Sequence, residues 1–165
     1  MSMYSGVKQA LPEDALMATS PLAAQHNSDQ AVWTRVLAVH AHVERQLAAA
    51  LQRRHAIGLS EFRSLEHLHR SETSELRMQD LADKVGLGQS SVTRLVGRLE
   101  SAGFAFKDLC PSDKRGVYAV ITDEGRQRYE AARATYAETL SSALNTFAAD
   151  PELGATVRAL RTPRD

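Results

Sequence analysis

Residues 78–101 read MQDLADKVGLGQSSVTRLVGRLES, and two helical periodicities meet there across a pair of glycines. Met78, Leu81, Ala82 and Val85 fall on one face of a short helix. Gly86 and Gly88 then bracket a tight turn, and Val92, Leu95, Val96 and Leu99 form the apolar stripe of a second helix over Gln89 to Ser101. Helix, glycine-containing turn of about three residues and second helix are the ingredients of a helix-turn-helix.

The flanking sequence extends this unit on both sides. Upstream, Val32, Val36, Val39, Val43, Leu47 and Leu51 recur at spacings of three and four, which predicts a long helix from about Gln30 to Ala56. Gly58 closes it, and Ser60 is positioned to cap a further helix to about Arg70, with Phe62, Leu65, Leu68 and His69 on one side. Downstream, Phe104–Leu109 and Gly116–Ile121 are β-like, rich in aromatic and branched residues, and the turn-forming run CPSDKR separates them. Thr122 suits the N-cap of a long helix to about Ala148, with Asp123 and Glu124 where the helix dipole favours acids. Asp150-Pro151 then breaks the chain ahead of a short terminal helix.

The expected fold is mainly α with a small β-hairpin wing: a winged helix-turn-helix domain flanked by long N- and C-terminal dimerisation helices. Residues 1–29 read as an N-terminal arm whose order the sequence leaves open, with at most one short helix near Pro12 to Ala18. Residues 30–58 form the N-terminal dimerisation helix, 59–122 the winged region and 123–165 the C-terminal dimerisation helices. Helices longer than a small core requires need a partner, and a second copy of the chain is the simplest one.

Bulk properties restrict the function. With 165 residues the chain suffices for one domain with a real core. Twenty basic and twenty acidic residues cancel, so any electrostatic function is local. One cysteine, Cys110, excludes an intrachain disulfide framework and fits a reducing cytoplasm, where we expect the protein. No apolar run approaches a membrane span, and Pro12, Glu13 and Asp14 interrupt any signal-peptide pattern, so no membrane partner is expected.

Local charge supplies the functional reading. Opposite the apolar stripe of the second helix lie Ser90, Arg94, Gly97 and Ser101, flanked by Ser91, Thr93 and Arg98, with Gln89 at the start. Arginine binds guanine bidentately, and short hydroxyls reach base edges or phosphates, so this face suits a DNA major groove. Mid-helix Gly97 costs about 1 kcal/mol relative to alanine, and close approach of a DNA backbone would account for it. A hairpin after such a helix is a wing whose tip can enter the adjacent minor groove. Arg115 is the residue to enter it, Asp113 to hold that guanidinium and Lys114 to meet phosphate, with Lys107 a further basic residue of the DNA-binding wing.

The runs LSEFRSLEHLHR, RMQDLADKVGLGQSSVTRLVGRLESAGF and DKRGVYAVITDEG resemble the MarR family of bacterial winged helix-turn-helix regulators. The family's Asp-x-Arg-Gly/Ala wing tip, apolar strand, Leu-Thr and glycine correspond here to Asp113, Lys114, Arg115, Gly116, Ile121, Thr122 and Gly125. The resemblance runs strongly from about Leu59 to Gly125. It implies a homodimer on double-stranded DNA at a palindromic operator, usually repressing a neighbouring gene and often released by a small aromatic or lipophilic molecule. Three residues depart from the pattern: Gly88 in place of a capping hydroxyl, Asp108 where the wing is commonly basic, and Cys110 at the tip.

Other sites have weaker signatures. Trp33, Leu37, His40 and Glu44 line one flank of the first long helix, and with His69 they are candidates for an effector pocket; the plainer reading puts Trp33 and His69 in a dimer core and His40 at its edge. His40/His42 and His67/His69 are spaced i, i+2, which points each pair to different helix faces, so no metal site or cofactor is expected. Cys110 beside Lys114 and Arg115 is a candidate redox sensor or an incidental exposed thiol. No phosphate-cradling glycine loop, nucleophile elbow or catalytic constellation is present, which speaks against an enzyme. A protein-interaction winged helix without DNA binding is the remaining alternative, and Arg94, Arg98, Lys114 and Arg115 oppose it.

Overall fold

The structure, a computed structural model, describes residues 21–109, 116–151 and 153–162. In chain order it comprises α1 (Pro21–His55), α2 (Leu59–Arg70), β1 (Glu75–Arg77), α3 (Met78–Val85), α4 (Gln89–Ser101), β2 (Ala105–Leu109), β3 (Val117–Ile121), α5 (Asp123–Ala148) and α6 (Gly154–Arg161). The chain divides into two units, Met1–Ala38 and Val39–Asp165. Among the described residues no helix is long and apolar enough to cross a membrane. The short helix expected near Pro12 to Ala18 lies outside the described residues.

In the first unit, α1 starts at Pro21, well ahead of Gln30 where the apolar periodicity sets in. Proline favours the first helical position, since its missing N–H has no intrahelical partner to lose. Val32, Trp33, Val36 and Leu37 follow at i, i+1, i+4 and i+5, and all four are exposed.

In the second unit, a core forms from Leu47 and Leu51 of α1, Phe62, Leu65 and Leu68 of α2, Met78, Leu81 and Ala82 of α3, and Val92, Val96 and Leu99 of α4. Ala105, Ala119 and Ile121 of the sheet and Tyr129 and Ala132 of α5 complete it. Each fully buried leucine contributes about 1.5–3 kcal/mol relative to exposure, so the predicted stripes of α3 and α4 orient both helices. The turn between them depends on Gly86, whose φ of +69° lies in the left-handed region. From there the Leu87 N–H closes back on the Ala82 carbonyl at 2.9 Å.

Beyond the earlier start of α1, two further elements differ from the sequence reading. The cap of α2 is Gly58, not Ser60: the helix already begins at Leu59, and the Glu61 carboxylate accepts the Gly58 N–H at 2.9 Å. Ser60 instead lies within the helix, its carbonyl accepting the Ser64 hydroxyl at 2.9 Å. The hairpin also gains a third strand: the antiparallel order is β1-β3-β2, with Leu76 opposite Ala119 and Lys107 opposite Ala119 from the other side. At three residues, β1 is too short to display an alternation.

Thr122 caps α5 as predicted, its Oγ1 accepting the Gly125 N–H at 3.0 Å while donating to the Gly103 carbonyl at 2.7 Å. Gly125 has no room for a side chain, because a Cβ there would collide with the Phe104 carbonyl and lie 2.9 Å from Ile121 Cγ1. Gly125→Ala is therefore expected to destabilise the protein by about 2–3 kcal/mol. In urea unfolding this would lower the midpoint while leaving the m-value unchanged.

Candidate nucleic-acid interface

Burial of Val92, Leu95, Val96 and Leu99 turns the opposite face of α4 outward. Gln89, Ser90, Ser91, Thr93, Arg94 and Arg98 are all exposed on it. The Thr93 hydroxyl donates to the Gln89 carbonyl at 2.8 Å, and Ser101 to the Gly97 carbonyl at 2.9 Å, which fixes both rotors. Arg94 has no hydrogen-bond or ion-pair partner among the described residues, leaving its five donors for a ligand. A Cβ at Gly97 would meet nothing within 4 Å, so no packing within the protein demands glycine there.

Two predicted cations have protein partners. Arg98 Nε donates to Glu61 Oε1 at 2.8 Å, across 37 residues of sequence. Lys107 Nζ meets Glu100 Oε2 at 2.5 Å, and the Lys107 backbone N–H donates to Glu100 Oε1 at 2.8 Å. Asp108, the acidic departure on the wing, is exposed opposite Tyr118. The tip residues Cys110, Asp113, Lys114 and Arg115 lie outside the described residues.

Arg77 was not foreseen. It ends β1, donates from Nε to the Tyr118 hydroxyl at 2.9 Å and stacks its guanidinium 5.5 Å from that ring centroid. With Met78, Gln79, Gln89, Gly116 and Val117 it lines a cavity of about 260 Å³ between the start of α4 and the base of the wing. Its only sequence signal is a basic residue just before the first helix of the motif.

Of the candidate effector residues in the second unit, His40 and His69 have different partners. Trp33 is exposed in the first unit. In the second, His40 lies 3.8 Å from Glu44, whose carboxylate also receives Nη1 and Nη2 of Arg63 at 3.2 and 2.5 Å. His69 instead sits 3.3 Å from Glu130 and packs 4.8 Å from the Tyr129 ring, with Nδ1 buried and unpartnered. Burial pushes the Tyr129 phenol above its ordinary range. Among the described residues no three His, Cys, Asp or Glu side chains gather as a metal site.

A family profile described as the MarR family matches residues 57–116, from the α1–α2 junction to the base of the wing. The HTH-type transcriptional regulator YkoM of Bacillus subtilis is 29% identical over 98 residues, 59% of this chain and 62% of that protein. The chain thus matches less than two thirds of that relative's length. Among solved structures, Sco3205 of Streptomyces coelicolor, a MarR family transcriptional regulator in complex with DNA, superposes with a TM-score of 0.70 at 28% identity, covering 81% of this chain and 83% of the other. AbsC of the same organism, also a MarR family transcriptional regulator, gives 0.69 at 25% identity over 81% and 90%. The fold is that of a winged helix-turn-helix protein, and residues 57–116 match the MarR family of transcriptional regulators.

The Glu100–Lys107 contact has a measurable signature. Hydrogen bonding from the Lys107 side chain holds the Glu100 carboxyl below its usual range. With the folded-state pKa depressed, the contact's contribution is complete above the unfolded pKa and is lost as pH falls through the folded one. Side-chain carboxyl NMR should show Glu100 titrating below an ordinary glutamate, and Lys107→Ala should return it toward the ordinary value.

Proposed function

We propose that the protein is a sequence-specific DNA-binding regulator that occupies a palindromic operator as a homodimer, represses the adjacent gene and is released by a small aromatic or lipophilic effector. The observation that carries this reading is the outward face of α4, where short hydroxyls, Gln89 and an unengaged Arg94 stand on a helix fixed by four buried apolar residues. Such a helix enters a major groove, and a dimer would set two of them about 34 Å apart. Arg115 and Lys114 would extend the contact to minor groove and phosphate through the wing.

Dimerisation is supported by the exposed stripe Val32, Trp33, Val36 and Leu37, large apolar side chains that a second chain would cover. Effector binding is supported by a cavity of about 440 Å³ between α2 and α5, where Phe62, Tyr129 and Tyr136 offer apolar walls and Arg70 and Arg133 offer charge. Phe62 stacks on Tyr136 at 4.7 Å between ring centroids, and His69 packs behind Tyr129.

A mobility shift on the intergenic DNA beside the protein's own gene, with random DNA as competitor, tests the reading. Retardation that survives competition, by a species of twice the chain mass in sedimentation, is the expected result. Loss of the shift to random DNA, or a monomer, would overturn it. Arg94→Ala should weaken operator binding by about 1–3 kcal/mol and relax base preference at one position of each half-site. Lys114→Ala should weaken binding evenly across sequences and lower the salt slope by about 0.9 per subunit. Gly97→Ala should stabilise the fold by up to about 1 kcal/mol in thermal unfolding yet weaken DNA binding.

A further inference from the structure

Arg98 and Lys107 belong by sequence to the cations that would contact DNA, yet each is held by a carboxylate from another element. Glu61 stands at the start of α2, and its two oxygens serve two partners: Oε2 accepts the Gly58 N–H at 2.9 Å and Oε1 accepts Arg98 Nε at 2.8 Å. The last turns of α4 are thereby tied to the loop that joins α1 to α2. Glu100, two residues beyond Arg98, points the opposite connection outward: it takes both the backbone N–H and the ammonium of Lys107 on β2. One helix is thus linked at its C-terminal end to α2 on one side and to the wing strand on the other.

We propose that Arg98 and Lys107 are positioning residues rather than DNA ligands: the Glu61–Arg98 pair sets the angle of the recognition helix on α2, and the Glu100–Lys107 pair sets its spacing from the wing, so that together they fix how helix and wing are presented. The assignment rests on the regulator reading above. A major-groove helix and a minor-groove wing read one site together only if their separation matches the duplex, so holding that separation determines which DNA shapes are accepted. The partly exposed side chains, 58% and 20% for Arg98 and Glu61 and 32% and 33% for Lys107 and Glu100, imply little effect on global stability. What the pairs restrict is orientation, because Glu61 bridges Gly58 and Arg98 while Glu100 holds both the backbone and the side-chain donor of Lys107.

The sign of the effect separates this role from electrostatics. Glu61→Gln and Glu100→Gln each remove a negative charge beside the proposed interface, which by charge alone would strengthen binding to any duplex. If the carboxylates position the helix, the same substitutions lower the preference for the right sequence. The probe is a duplex selected by the wild-type protein from a random-sequence pool, compared with its scrambled version by fluorescence anisotropy over a series of salt concentrations. For each Gln variant we expect the ratio of selected to scrambled affinity to fall by about tenfold, the order of one charge-assisted hydrogen bond. Binding to the scrambled duplex should be unchanged or tighter, and the melting temperature near that of wild type.

Arg98→Ala and Lys107→Ala should lower the same ratio while leaving the salt slope intact, since no phosphate contact is lost. Exchanging the charges, Glu100→Lys with Lys107→Glu, should recover part of the ratio. Gln variants that keep the wild-type ratio, or alanine variants that each flatten the slope by about 0.9 per subunit, would overturn the assignment and return Arg98 and Lys107 to direct contact. A wild-type protein that prefers no selected duplex would instead remove the regulator reading itself, an outcome distinct from both.

Discussion

The Thr122 hydroxyl donates to the carbonyl of Gly103 and accepts the amide of Gly125, while the Thr122 N–H reaches the Phe104 carbonyl at 3.1 Å. Three pieces of chain meet at this residue: the end of α4, the end of β3 and the first turn of α5. The bonds fix where the long helix leaves the winged domain. Gly125 allows the approach, because any larger residue would press on the Phe104 carbonyl. The same junction is reinforced from the other side by Arg128, which donates to the His55 carbonyl at 2.7 Å and lies 5.1 Å over the Phe104 ring.

Much of this architecture was legible in the sequence because it is local. The stripe Val92, Leu95, Val96 and Leu99 is buried as its spacing requires, and Thr122 followed by two acids is a helix start that depends on neighbouring residues alone. The α2 cap was misassigned for an instructive reason. Serine at 60 has the chemistry of a cap, but glycine at 58 with glutamate at 61 forms the bond actually made, and the two arrangements overlap in sequence. Strand β1 was missed because three residues acquire strand character only from pairing with Tyr118, Ala119 and Val120 more than forty positions later.

The candidate interface was legible in its chemistry and less so in its engagement. Sequence identifies the outward face of α4, but the partner of Arg98 lies 37 residues away, and no periodicity announces it. Lys107 and Glu100 are closer, yet they sit on a strand and a helix joined by a turn, where spacing rules for neither element apply. The effector candidates show the same divide. An aromatic, an imidazole and a carboxylate along one helix suggest a pocket from sequence; the pairing of Glu44 with Arg63 and the cavity lined by Phe62, Tyr129 and Tyr136 between α2 and α5 have no such sequence signal.

Glu100 has one more effect, on the sheet itself. The order β1-β3-β2 leaves β2 at an edge, where unpaired backbone N–H groups invite a strand from another molecule. The Lys107 N–H that would offer such pairing is occupied by the Glu100 carboxylate, and the adjoining Lys107 and Asp108 side chains place charge along the same margin. A sheet this small, bordered by a three-residue strand on one side and by this blocked margin on the other, presents little template for fibrous or edge-to-edge association. The carboxylate that ties the wing strand to the helix thus also closes the strand's outer edge at Lys107.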